Sequence, residues 1–285
     1  LTGGEPMIRE DIYDLAAYAS KKGMKVVMAP CGSLVTPDTV NKMKSSGISA
    51  ISISIDGADA TAHDTFRGVD NAFDTALQAL EFARQGDLPF QINTTVSKLN
   101  VQQLPQIYEL ALEQGASTLD FFFLVPTGRG AGMREFEIDA ETYEKTLNWI
   151  YDLSQDSAIG IKTTCAPHYS RIQRQRAGTD YVNIAPRFRA RGCMGGKGFI
   201  FISHRGIVQP CGFLNLECGD LRSVDYDLEK IYKESYIFQE LRDTKKYSGV
   251  CGKCKYVQDC GGCRARAYES NGDYLASEPN CIYHQ

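Results

Sequence analysis

Apolar and polar positions along the first 165 residues alternate between two periods. Over residues 10–22, Ile12, Leu15, Ala16 and Ala19 recur at helical spacing, and after Gly23 the short apolar run Lys25-Val-Val-Met-Ala29 predicts a strand. The alternation continues, with helices predicted over 36–45, 73–85, 104–114 and 141–153 and strands over 50–55, 90–96, 119–125 and 161–164. Strands separated by helices of this length indicate βαβ units and a parallel sheet, so the expected fold class is α/β. The first 125 residues read as most of a (β/α) barrel that lacks its first strand and helix. The aromatic run in Asp120-Phe-Phe-Phe-Leu-Val-Pro-Thr-Gly-Arg-Gly130 reads as a strand buried on both faces, running into a glycine turn.

Beyond residue 165 the periodic pattern fades and cysteine takes over. Five of the ten cysteines (Cys251, Cys254, Cys260, Cys263 and Cys281) fall in the last thirty-odd residues, and Cys193, Cys211 and Cys218 lie within sixty residues upstream. A disulfide framework belongs mainly to small secreted domains, whereas 285 residues that are 43% hydrophobic can bury a core without staples. Structural zinc usually separates two CxxC knuckles by about fifteen to twenty residues, and here five residues lie between Cys254 and Cys260. Iron–sulfur clusters accept tight runs of thiolates with a distant fourth ligand, since each thiolate meets a different iron. Cys251, Cys254, Cys260 and Cys281 suit that requirement.

The spacing C-x2-C-x5-C-x2-C-x17-C, preceded by Cys193-x12-Gly206-x4-Cys211, resembles the SPASM extension of radical S-adenosylmethionine (SAM) enzymes, with one residue fewer than usual between Cys260 and Cys263. The resemblance implies a partial (β/α)6 radical SAM barrel followed by a small cysteine-rich SPASM domain. It assigns Cys251, Cys254, Cys260 and Cys281 to one auxiliary [4Fe–4S] cluster, and Cys193, Cys211 and Cys263 to another. The family places a further cysteine just upstream of Cys193, where this chain has Arg187. Three alternatives stand open: the second cluster has an open iron, Cys218 closes it, or it is absent.

Gly3-Gly4-Glu5-Pro6 falls at the C-terminal end of the first visible strand, where α/β barrels carry their chemistry. Glycines let a backbone approach a ligand, and Glu5 offers an acceptor for an ammonium group. By the resemblance, this motif holds the methionyl amino group of SAM. Ser52-Ile-Ser54-Ile-Asp56-Gly57, which ends the third visible strand, followed by Ala62-His63-Asp64 and Phe66-Arg67-Gly68, is similar to the family's strand-four region. It implies Ser54 and Asp56 near the SAM ribose, Arg67 as a weaker candidate for the SAM carboxylate, and Val125 beside the adenine. An Asp-Gly pair also commonly initiates a plain turn, and His63 reads equally well as a packing residue. The chain opens without methionine, inside what reads as a motif, so residues before Leu1 are expected to belong to the protein. The CxxxCxxC spacing that carries the family's catalytic cluster is found nowhere in the sequence, which leaves that cluster's ligands outside this chain.

A net charge of −4 and a pI near 5.7 give no reason to expect a nucleic-acid partner. No apolar run approaches the length of a membrane helix, so a membrane partner is not expected, and a reducing cytoplasm fits the free thiols. Against that acidic background, Arg171, Arg174, Arg176, Arg187, Arg189 and Arg191 put six guanidinium groups into twenty-one residues with Asp180 the one acid among them. A solvated face is the common fate of such a run, but arginine also suits bidentate recognition of carboxylates. Arg129 is a further carboxylate candidate.

Gln91-Ile-Asn-Thr-Thr-Val-Ser97, Phe122-Phe-Leu-Val-Pro-Thr-Gly-Arg-Gly130, Thr164-Cys-Ala-Pro-His-Tyr169 and Cys260-Gly-Gly-Cys-Arg-Ala-Arg-Ala-Tyr268 are similar to the radical SAM enzymes of alternative haem and haem d1 biosynthesis. That likeness implies an iron tetrapyrrole substrate and a low-potential electron donor such as ferredoxin or flavodoxin. It also implies acetate removal from 12,18-didecarboxysiroheme as the first reading, with propionate decarboxylation of iron-coproporphyrin III as the alternative. Cys165 and His168 become candidates for the substrate iron, against a buried thiol and a helix-cap imidazole. Two further readings remain, a SPASM peptide maturase and a non-catalytic iron–sulfur or zinc module. The expected boundaries are a partial barrel over 1–160, an arginine-rich connection over 161–192 and a SPASM domain over 193–285.

Overall fold

The computed structural model describes residues 1–185 and 189–283. Strands β1 (Val26–Met28), β2 (Ile48–Ser54), β3 (Phe90–Val96), β4 (Thr118–Phe123) and β5 (Gly160–Thr164) form one five-stranded sheet in sequential order. The β1–β2 and β2–β3 pairs are parallel, with Val26 opposite Ile48 and Ile51 opposite Phe90. Helices α1 (Ile12–Lys21), α2 (Pro37–Ser45), α3 (Ala60–Arg67), α4 (Ala72–Gln85), α5 (Leu104–Gln114) and α6 (Ala140–Asp156) make the crossovers. The expected α/β alternation is therefore present, with most boundaries within a few residues of those read from periodicity.

Local chemistry accounts for the boundaries. Thr36 and Thr39 close a capping box at the start of α2, with Pro37 in its first turn. Gly115 ends α5 in the left-handed conformation that glycine adopts without penalty. Helix α3 escaped the periodicity because it has eight residues and buries one, His63. Its start is nevertheless written in the sequence, since the Asp59 carboxylate accepts the Ala62 N–H at 2.9 Å. Strand β4 buries Leu119, Asp120, Phe121 and Phe123, so its aromatic run is core.

By contact the chain divides into two compact units, Leu1–Phe122 with Leu153–Lys162, and Phe123–Asp152 with Thr163–Gln285. Residues 123–152 thus cluster with the cysteine-rich half. In the first unit Ile51, Ile53, Ile92 and Phe121 are buried from the sheet, and Met43 and Leu80 from the helices. Each such side chain stabilises the fold by about 1.5–3 kcal/mol. The second unit contains helix α7 (His168–Ala177), a three-stranded antiparallel sheet of β6 (Phe201–Ile202), β7 (Ile207–Gln209) and β8 (Gly219–Asp220), and helices α8 (Leu228–Glu234), α9 (Tyr236–Arg242), α10 (Gly249–Lys253) and α11 (Arg264–Asn271). Two apolar clusters within it centre on Cys263 with Leu241 and on Phe238 with Val208. No helix among the described residues is long and apolar enough to cross a membrane.

The turn after β2 is tight. A Cβ at Gly57 would stand 2.4 Å from the His63 nitrogen and 2.7 Å from the Ala62 carbonyl carbon, both backbone atoms of α3. Relief requires α3 to move, so Gly57→Ala is expected to destabilise the fold by about 1–3 kcal/mol, the usual range for overpacking. Urea unfolding followed by circular dichroism measures it, and an unchanged midpoint would refute the packing described.

Candidate functional site

In the first unit, the segment before α1 carries Gly3, Gly4, Glu5 and Pro6. The chain enters beside β1, where the Ala29 N–H donates to the Leu1 carbonyl at 2.9 Å. Glu5 is held at both oxygens, accepting the Met7 N–H at 2.8 Å and the Cys31 N–H at 2.6 Å. Two amide donors orient the carboxylate and leave lone pairs for a cation. A Cβ at Gly3 or Gly4 would meet nothing within 4 Å, so the surface above them is open.

At the end of β2, Ser54 is half-buried and Asp56 is 1% exposed. The Asp56 carboxylate accepts the Thr95 N–H at 2.6 Å and pairs with Arg67, while its backbone N–H donates to His63 Nδ1 at 2.9 Å. Asn100 Nδ2 donates to the Asp56 carbonyl, also at 2.9 Å. Asp56 is thus committed to joining the ends of β2 and β3, and Arg67 to neutralising it. Both side chains already have protein partners where the sequence offered them for SAM. Val125 is 5% exposed and packs in the second unit with Cys263 and Leu214.

The second unit brings Cys251, Cys254, Cys260 and Cys281 around one pocket, together with His168 and Arg171. Among the described residues no three His, Cys, Asp or Glu side chains converge closely enough to ligate a single metal ion. A ring of four thiols about an open cavity is what a [4Fe–4S] cluster requires, because each sulfur meets its own iron at a corner. Donors to sulfur are in place. Cys251 Sγ accepts from Arg264 Nη2 at 3.5 Å and the Glu278 N–H at 3.4 Å, Cys254 Sγ from the Tyr256 N–H at 3.4 Å, and Cys260 Sγ from the Gly262 N–H at 3.4 Å. Burial pushes the Cys260 thiol up, whereas at Cys281 the neighbouring His168 outweighs burial and brings the thiol down. The residues present fit the cluster.

A buried ionic network lies beside this ring. Arg266 is fully buried, and its Nη1 donates to Glu278 Oε1 at 3.0 Å while Nη2 donates to the Leu124 carbonyl at 3.0 Å and the Cys165 carbonyl at 3.3 Å. Glu278 Oε2 lies 2.5 Å from His168 Nε2, and His168 Nδ1 lies 3.2 Å from the Tyr143 hydroxyl. Burial works against charge here, but His168 and Arg266 outweigh it and hold Glu278 down to about 2. Burial likewise pulls His168 down, and Glu278 with Cys281 reverses this to about 9. His168 is therefore a buried imidazolium with both nitrogens engaged. It has no nitrogen to offer a substrate iron, which is the role the sequence suggested for it.

The arginine run meets acids from distant segments. Arg171 Nη2 reaches Glu144 Oε2 at 2.5 Å, Arg176 Nη2 reaches Asp152 Oδ1 at 2.5 Å, and Arg174 pairs with Asp259. Arg189 donates to the Val182 and Ile184 carbonyls. For Arg191, which is exposed, no acidic partner is found among the described residues. Arg187 and the side chain of Arg129 lie outside the described residues. Sequence reading passed over Arg264, Arg266 and Glu278. The signal that was available is the Arg-Ala-Arg-Ala alternation directly after Cys263, two cations set among small residues. Glu278→Ala removes the carboxylate shared by two buried cations, His168 and Arg266, and leaves Arg266 only the more distant Glu137 at 3.6 Å. It is expected to cost about 3–5 kcal/mol, read by anaerobic denaturant unfolding, and a change under 1 kcal/mol would contradict the network.

Comparison with known proteins agrees with this architecture. The Radical SAM superfamily profile matches residues 1–111. The chain is 47% identical over 287 residues to a protein of Nitratidesulfovibrio vulgaris named AdoMet-dependent heme synthase, covering 99% of this chain and 78% of that protein. To a protein of the same name from Methanosarcina barkeri it is 44% identical over 288 residues, covering 99% and 81%. The Fe-coproporphyrin III synthase of Methanosarcina barkeri is 27% identical over 307 residues, covering 98% and 74%. The crystal structure of Streptococcus suis SuiB shares the fold, with a TM-score of 0.75 at 16% identity over 99% of this chain and 66% of that one. The chain belongs to the radical SAM family, together with the AdoMet-dependent heme synthases, and S-adenosyl-L-methionine and a [4Fe–4S] cluster are its cofactors.

Proposed function

We propose that the protein is a haem synthase, which converts two propionate side chains of iron-coproporphyrin III into vinyl groups. The observation that carries this reading is the likeness of 44–47% to proteins named AdoMet-dependent heme synthase, against 27% to an Fe-coproporphyrin III synthase. It favours propionate decarboxylation over the acetate removal that the sequence first suggested. Each propionate would lose one hydrogen atom, one electron and CO2, so the site must deliver a hydrogen-abstracting radical and take up an electron. When bound, reduced [4Fe–4S] and SAM supply the 5′-deoxyadenosyl radical, and an auxiliary cluster supplies an electron acceptor.

The chain's own residues bind and orient. Gly3 and Gly4 leave room for the methionyl end of SAM, and the doubly anchored Glu5 accepts its ammonium group. Ser54 is the hydroxyl nearest the ribose in this reading, with Asp56 as a positioning residue that joins β2 to β3 through Thr95 and Arg67. The exposed Arg191 is the candidate for a propionate carboxylate, since Arg171, Arg174 and Arg176 already hold protein acids. A ferredoxin or flavodoxin would serve as the electron donor.

Anaerobic incubation of the full-length protein with SAM and a low-potential reductant tests the reading. Iron-coproporphyrin III should give haem by way of a monovinyl product, detected by mass spectrometry. Acetate loss from 12,18-didecarboxysiroheme instead, or 5′-deoxyadenosine formation with both tetrapyrroles unchanged, would overturn it.

A further inference from the structure

Outside the ring of four thiols, four other cysteines meet in the second unit. Cys263 is 5% exposed, and Cys165 and Cys211 pack against its apolar cluster. Cys165 and Cys263 share a thiol–thiol hydrogen bond, Cys211 lies within electrostatic reach of Cys165, and Cys193 faces both Cys263 and Cys211. The sulfurs of three of them already receive amide donors: Arg264 and Gly195 N–H to Cys193, Phe213 and Leu214 N–H to Cys211, and Arg266 N–H to Cys263. Amide donors to sulfur are the outer-shell feature that tunes iron–sulfur centres. No three of these residues converge closely enough for a single ion.

We infer that Cys165 is the fourth thiolate of a second auxiliary [4Fe–4S] cluster, completing Cys193, Cys211 and Cys263 from the segment between β5 and α7. Two observations beyond proximity point there. Cys165 sits at φ 59°, in the left-handed region that a non-glycine residue adopts only when its surroundings impose it. The surroundings do so, because Arg266 Nη2 and the Tyr143 hydroxyl both donate to its carbonyl at 3.3 Å. The rival ligand, Cys218, points its thiol at the Leu216 carbonyl at 3.8 Å and at Ser235, and it packs against the Phe238 cluster as well. Positive charge is available to offset the thiolates, with Arg266 near Cys165 and Cys263 and Lys197 near Cys193.

The inference rests on the cluster-binding character of the second unit and not on the tetrapyrrole substrate, so its failure would leave the haem synthase reading standing. The test compares anaerobically reconstituted full-length protein with its Cys165→Ala and Cys218→Ala variants by iron and sulfide content, Mössbauer spectroscopy and electron paramagnetic resonance. C165A is expected to lose between one iron and a whole cluster per chain, or to show a three-iron signal, while C218A matches the parent. The reverse pattern would overturn the inference in favour of Cys218, and two unchanged variants would overturn it in favour of an open iron. If C165A does not fold, alkylation of the parent protein decides. Cys165 should be protected until a chelator removes iron and then become reactive together with Cys193. Labelling independent of iron, or a Cys165–Cys263 disulfide in protein isolated anaerobically, would refute the assignment.

Discussion

Charge is the constraint on which the second unit depends. Cluster ligands are thiolates, and a folded interior resists thiolates: burial pushes Cys211 up to about 12 and Cys218 up to about 11. Iron reverses that preference by displacing the protons, so cluster insertion and consolidation of this unit are linked. The protein prepares for the negative charge by burying cations. Arg264 reaches Cys251 Sγ and the carbonyls of Tyr274 and Ala276, and Arg266 reaches Glu278 and the Cys165 carbonyl. Isolated buried charges are strongly unfavourable, and each of these two guanidinium groups donates to more than one segment of the chain. Helix α11, the segment from Tyr274 to Cys281 and the turn at Cys165 are thereby fixed as one assembly.

The first unit solves a different problem, which is to present polar groups at the ends of a buried parallel sheet. Asp56, Thr95 and Asn100 tie β2 to β3 through hydrogen bonds of 2.6–2.9 Å. Gly57 lets α3 fold back directly over that junction. Rigid strand ends of this kind are what allow short segments such as Gly3–Pro6 to hold a ligand in a defined place.

The sheet and its helices were legible because their signals are local. Ile51 and Ile53 alternate on β2, and Thr36 with Pro37 announces α2, without help from distant residues. The ring of Cys251, Cys254, Cys260 and Cys281 was legible because thiol spacing encodes cluster geometry. Partnership across the chain was not. Arg171, Arg174 and Arg176 look unpaired in sequence and find Glu144, Asp259 and Asp152 only in three dimensions. His168 and Cys165 suggested a substrate ligand pair, but His168 belongs to Glu278 and Tyr143. Nothing local to residue 168 foretells that its acid stands 110 residues later.

The central claim is that four thiols of the second unit enclose a [4Fe–4S] cluster beside a network of buried cations. Anomalous diffraction at the iron edge from anaerobically grown crystals of the full-length protein tests it most directly. The account predicts a compact group of iron peaks inside the ring of Cys251, Cys254, Cys260 and Cys281. A single peak at the zinc edge in that cavity, or sulfurs joined to one another with no iron between them, would contradict it.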